Sequence, residues 1–258
     1  MELGHVATSS IVGMVVAALI AFLVPIGLLI WNRKKNHATI SSFFIGCGVF
    51  VVAALVLEQI FHYIVLSLTG DIITGNIWLY GLYGGMAAAV FEETGRFLAM
   101  KFFLKKQFEE KNALMYGIGH GGVEAILLVG FSNISNILTS VMINTGAMEA
   151  SLAILDETTA EVTIESISAL WELPAYQFYL GGVERLFAIV LQISFSILMY
   201  QAVKQQKKSL IATAFAAHFL VDFVTVVAAN YLNLGLVEVL VGFMTAIVAF
   251  TAWKTRKN

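Results

Sequence analysis

Glu92 and Glu93 stand side by side one helical turn before Arg96, and His120–Glu124 and His218–Asp222 are each spaced four residues apart. On a helix, spacings of three and four place side chains on one face. Each group therefore offers a continuous polar edge: two carboxyls with a guanidinium, and twice an imidazole with a carboxyl. All of them lie in stretches otherwise apolar enough to span a membrane, as do Glu58, His62, Glu184, Arg185 and Glu238. A charge at bilayer depth costs about 2.5 to 17 kcal/mol, so such groups need pairing, water or a function. Peptide-bond hydrolysis suits this set. A glutamate can take a proton from water and return it to a leaving amine, an arginine can hold its neighbour ionised, and histidines can donate to a developing oxyanion. The sequence has no HExxH, and its single cysteine, Cys47, is expected at a different depth. That cysteine can form neither an intrachain disulfide nor a CxxC site.

The elements that must position these groups are membrane helices. The chain of 258 residues is 59% hydrophobic and 12% charged, with a net charge of -2, against about 25% charged in soluble domains. Seven spans can be drawn at roughly 8–31, 39–68, 76–104, 113–137, 177–203, 209–230 and 235–253. The first follows a start without a basic segment and ends at Arg33-Lys34-Lys35, so a retained span is expected rather than a cleaved leader. Pro25 is expected to kink that span and Pro174 to begin the fifth. With seven alternating spans, every basic residue outside them falls on one side: Arg33–Lys35, then Lys105, Lys106 and Lys111, then Lys204, Lys207 and Lys208, and finally Lys254, Arg256 and Lys257. The positive-inside rule then puts the N-terminus outside and the C-terminus in the cytoplasm. The predicted fold is an all-α polytopic bundle forming a single domain over 1–258, in a plasma membrane of bacterial type. Its outer acidic loop, about 138–176, is expected to hold one or two short amphipathic helices.

At about 1.5 Å of rise per residue, the three motifs share one layer, roughly 10–20 Å from the cytoplasmic surface. Gly81, Gly84, Gly85, Gly117, Gly119, Gly121 and Gly122 surround them and would let helices approach closely. Glu184 and Arg185, being adjacent, point about 100° apart and are not expected to face each other squarely. Glu58 and His62 share a face near the outer end of span two, where a structural or water-facing role is expected, and Glu238 is expected among headgroups.

The order EExxR, HGxxE and HxxxD on successive spans resembles the YhfC family of intramembrane proteases, related to PrsW and the CAAX-processing (CPBP) membrane proteases. The likeness covers nearly the whole chain, including the segments 117–125 and 182–185. It implies a water-activating glutamate, Glu92 with Glu93 beside it, and supporting roles for Arg96, His120, Glu124, His218 and Asp222. One to two turns beyond Arg185 the family pattern has a histidine; this chain has Gln192, which can hydrogen-bond but is a poor metal ligand and carries no proton.

The favoured reading is a metal-free glutamic endopeptidase acting on membrane-embedded or membrane-associated peptides. In the zinc alternative His120, Glu124, His218 and Asp222 are the ligands. A proton-coupled transporter, for which no inverted repeat is visible, and a peptide-binding protein without catalysis are the other classes. The lipid bilayer is the expected surroundings, and no nucleic-acid partner is expected.

Overall fold

Apolar stretches of this length can satisfy their backbone within a membrane only as helices or closed barrels, and the chain takes the first course. The computed structural model describes residues 3–256, leaving Lys257 outside the described residues. No strand occurs among those residues. Among the described residues six helices are long and apolar enough to cross a membrane: α1 (Thr8–Asn36), α2 (Ile40–Thr69), α4 (Glu110–Asn144), α5 (Tyr176–Gln205), α6 (Lys208–Tyr231) and α7 (Leu234–Thr255). A further helix, α3 (Ile77–Leu98), has 22 residues. It is long enough to span, but Glu92, Glu93 and Arg96 break its apolar run. The protein is thus an all-α polytopic membrane protein, and its long helices lie close to the seven spans read from hydropathy.

Local chemistry sets the ends. Asn76 accepts from the N–H groups of Trp78 and Leu79 at 3.0 and 3.2 Å and opens α3, and Asn233 accepts from Leu236 N–H at 3.0 Å and opens α7. Pro174 falls two residues before α5. Pro25 does not end α1, which runs on to Asn36. Two helices widen to i→i+5 bonding in mid-course: α2 over Val51–Glu58, and α4 over Ala125–Gly130, just past Glu124. Such wide turns occur often at functional positions.

The chain divides into two compact units. The first comprises residues 1–23 and 125–185. Its core is Val6, Met14, Ile143 and Leu170, and Asn144 ties down the N-terminal segment by bonding both N–H and C=O of Val6 at 2.9 Å. The acidic stretch folds into three short helices, Ala147–Leu152, Glu157–Ile167 and Ala169–Glu172. Asp156 caps the second of these. It accepts from Thr159 through both the hydroxyl and the N–H, which holds its carboxyl below the usual range. Glu184 and Arg185 do form an ion pair in this unit. Their side chains are long enough to curl together despite the 100° between their Cα–Cβ directions, which corrects the expectation from spacing alone.

The second unit comprises residues 24–124 and 186–258 and contains the polar cluster. Glycines bring its backbones into contact. A Cβ at Gly46 would overlap the carbonyl of Tyr116, and one at Gly119 that of Phe43, so α2 and α4 touch backbone to backbone. Gly117 and Gly121 lie against Ile193, Ser196 and Gln192 of α5, and Gly85 against Phe219 and Phe223 of α6. Gly84 meets nothing within 4 Å, the exception among the glycines singled out by sequence. Gly119→Ala is therefore expected to destabilise by about 1–3 kcal/mol, the usual cost of overpacking. Gly84→Ala should be neutral or slightly stabilising, since helical alanine is preferred to glycine. Thermal melts of the purified protein in detergent compare the two directly; equal losses would mean that the close approach is not what Gly119 provides. Glu238, expected among headgroups, is buried at 7% exposure, because the face of α7 that carries Val237, Val241 and Val248 turns into the protein.

Candidate functional site

Three helices deliver the acids and imidazoles to one place, and a fourth supplies an amide between them. Glu92, Glu93 and Arg96 lie on α3, His120 and Glu124 on α4, Gln192 and Ser196 on α5, and His218 and Asp222 on α6. Arg96, Glu93 and His120 are fully buried, His218 and Gln192 nearly so, and Glu92 is 7% exposed.

Arg96 is the hub. Its Nη1 donates to the Gln192 carbonyl at 2.9 Å and to Ser196 Oγ at 3.1 Å, and its Nη2 to Gln192 Oε1 at 2.5 Å. Its guanidinium lies 3.7 Å from Glu92 Oε2 and 3.4 Å from Glu93 Oε1. The planar fork thus bonds α5 while holding both glutamates of its own helix, a task lysine's point charge cannot do. Phe195 of α5 lies under the guanidinium at 5.7 Å and stacks on His218 at 4.7 Å between ring centres.

Around this hub the carboxyls sort into two sets. Glu92 Oε2 meets His120 Nε2 at 2.9 Å and accepts from Gln192 Nε2 at 3.0 Å, and the same amide nitrogen donates to Glu124 Oε2 at 2.9 Å. Glu93 Oε1 meets His218 Nδ1 at 2.8 Å, while His218 Nε2 faces Asp222 Oδ2 at 3.4 Å. The expected His218–Asp222 pairing along one helix is present. His120 is bonded instead across helices to Glu92, and Gln192 meets Glu124. Among the described residues four buried atoms here lack a hydrogen-bond partner: Glu93 Oε2, Arg96 Nε, Tyr116 Oη and His120 Nδ1. Buried polar atoms are normally satisfied by protein or water, so water or substrate is their natural partner.

All seven residues singled out by sequence lie in this unit, with Asp222, its side chain 34% exposed, at the open edge. Gln192 stands at the centre of the cluster. Ser196 and Phe195 were missed; the one available signal was that Ser196 follows Gln192 by four on a polar edge. Cys47, expected at another depth, donates to the Gly119 carbonyl at 3.2 Å. The close contact of α2 with α4 brings it level with His120 and ties up its thiol.

A helical membrane protein with an acid- and imidazole-lined interior is the class this fold and cluster define. The family model described as YhfC intramembrane metalloprotease matches residues 20–248. The chain is also 35% identical over 257 residues to the uncharacterized membrane protein YhfC of Bacillus subtilis (strain 168), covering 98% of each. The chain belongs to the YhfC family. No solved structure matches it.

That family description implies a metal. The donor types suit zinc, but their arrangement here does not. Among the described residues no three His, Cys, Asp or Glu side chains converge on one point. His120 Nε2 and Glu92 Oε2 bond each other, with the Arg96 guanidinium 3.5 and 3.7 Å away, so a fixed cation already stands beside them. Glu93 and Asp222 flank His218 on opposite ring nitrogens instead of sharing one side of it. The residues as arranged do not fit a bound dication.

Proposed function

We propose that this protein is an intramembrane endopeptidase that hydrolyses peptide bonds of membrane-embedded or membrane-associated substrates, with Glu92 as the base that activates water. One observation carries this reading: Glu92 and Glu93 share Arg96, yet Glu93 is fully enclosed while Glu92 keeps 7% of its surface exposed. Every described bond to Glu92 falls on Oε2, which leaves Oε1 to accept a proton. Water attacks the substrate carbonyl carbon as its proton moves to Glu92; the C–N bond then breaks as that proton passes to the leaving nitrogen. Arg96, Gln192 and His120 hold Glu92 in one orientation. Glu93 fixes His218 through Nδ1, and its Nε2–H, held only loosely by Asp222 at 3.4 Å, turns to donate to charge developing on the substrate oxygen. We also propose α3 as a seventh span, the N-terminus outside and the C-terminus cytoplasmic, from the one-sided distribution of lysine and arginine, and a single functional domain over the whole chain.

Zinc is the second reading, favoured by the family description. Purified protein in detergent is assayed against fluorogenic peptides with and without chelator, and its metal content is measured. Cleavage that survives chelation, without stoichiometric zinc, is the expected result. Stoichiometric zinc with chelator-sensitive cleavage, both lost in His218→Ala, would replace the metal-free mechanism with a metalloprotease. A protein that cleaves nothing but binds membrane peptides, or moves protons in liposomes, would overturn the enzymatic reading.

A further inference from the structure

The turn that joins α3 to α4 carries positive charge without a counter-charge. Past Leu98 the helix widens to i→i+5 bonding over Ala99–Phe103, and one tighter turn, Lys105–Gln107, follows. Residues 97–108 hold Lys101, Lys105 and Lys106 and no acid. The next acids along the chain are engaged elsewhere, Glu109 with Lys111 at 3.0 Å and Glu110 with Arg256. Lys101 and Lys105 line a cavity of about 370 Å³ whose other walls are Met100, Phe102 and Phe108, with Val203 of α5. The Lys101 Nζ is drawn over the rings of Phe97 and Phe102, 5.4 Å from each centre. Lys204, next to Val203, holds its Nζ 5.7 Å from the centre of the Tyr200 ring, which packs on Phe108 at 4.7 Å. Ammonium groups from two helices thus gather at a hollow with apolar walls.

Charge and walls together define the occupant. Lysines concentrated without acids attract an anion. A free inorganic anion gains nothing from methionine, phenylalanine and valine walls, whereas a phospholipid brings a phosphate and the first carbons of its acyl chains in one molecule. Basic hollows between spanning helices hold anionic headgroups for this reason. We propose that the cavity binds the headgroup of an anionic phospholipid. Its phosphodiester lies between Lys101 and Lys105, and its glycerol and upper acyl carbons lie against Met100, Phe102, Phe108 and Val203. The lipid clasps the end of α3 to α5, the same two helices that Arg96 joins through Gln192 and Ser196. The site does not depend on whether the polar cluster hydrolyses peptides.

The test titrates full-length protein in detergent micelles with phosphatidylglycerol or phosphatidylcholine. Native mass spectrometry counts the protein that carries one lipid and so gives an apparent affinity. Both lipids have a phosphate, but the choline cation cancels its charge. One lysine beside an anionic headgroup is worth about fivefold in binding. Two lysines should therefore favour phosphatidylglycerol by about thirtyfold. Lys101→Gln combined with Lys105→Gln should erase that preference. Lys34→Gln combined with Lys35→Gln, at exposed positions ending α1, removes the same charge and should keep it. Inorganic phosphate in excess should not displace the lipid, because it cannot cover the apolar walls. Equal affinity for the two lipids would overturn the proposal. So would equal losses in the two double variants, which would mean general surface charge, or displacement by phosphate, which would assign the cavity to a free anion. The preference of the parent protein for one lipid needs no variant, so it stands as a test even if a variant does not fold.

Discussion

Glu92→Gln is expected to lower peptide cleavage by about a thousandfold, in the range of a positioned general base, while the protein stays folded. The amide keeps the size of the carboxyl and can still meet His120 Nε2 and Gln192, so the packing around it is retained. It cannot take a proton from water. Glu93→Gln should also impair cleavage, but by another path. Glu93 is fully enclosed and bonded to His218, so its loss misorients the imidazole and leaves the base in place. Comparison of kcat for the two variants, with melting temperatures alongside, checks the assignment. If Glu92→Gln retains near-normal turnover while Glu93→Gln is dead, the roles are exchanged; if both retain it, the cluster is not catalytic.

Arg96→Leu should be the most destabilising single change in the second unit. Arg96 is the one arginine or lysine described against Glu92 and Glu93, and its removal also leaves the Gln192 carbonyl, Gln192 Oε1 and Ser196 Oγ without their donor. Deleting one partner of a buried charged pair costs about 3–5 kcal/mol, because the remaining charge is left uncompensated. The sign can be tested internally. Arg96→Leu combined with Glu93→Gln should be more stable than Arg96→Leu alone, since the second change removes one of the stranded charges. Arg96→Lys should recover part of the stability and little of the activity, because an ammonium cannot reproduce the fork to α5. A melting temperature for Arg96→Leu equal to that of the parent would sink the view of Arg96 as the hub.

Much of the candidate cluster was legible from spacing. Membrane helices fix depth along the chain, so counting residues from the basic loops placed Glu92, His120 and His218 in one layer before any contact was known. The same counting misjudged Cys47 and Glu238. The approach of α2 to α4 is set by Gly46 and Gly119, and the inward face of α7 by its packing partners; neither is a property of position along one helix. Spacing within a helix did not reveal every partner. It put His120 and Glu124 on one edge of α4, but the described bonds run across helices, His120 to Glu92 and Gln192 to Glu124.

By itself, then, the sequence determined that this is a helical membrane protein, that its long helices begin and end close to the spans drawn from hydropathy, and that it carries acids and imidazoles too costly in lipid to lack partners. Those properties follow from hydropathy and helical geometry, which act locally. Only the tertiary structure decided which groups meet. Arg96 reaching across to α5, Gln192 dividing its amide between Glu92 and Glu124, and Glu92 rather than Glu93 keeping some exposed surface all depend on how helices rotate about their axes. That rotation is set by glycine contacts and side-chain packing between segments distant in sequence, and no periodicity within one segment encodes it.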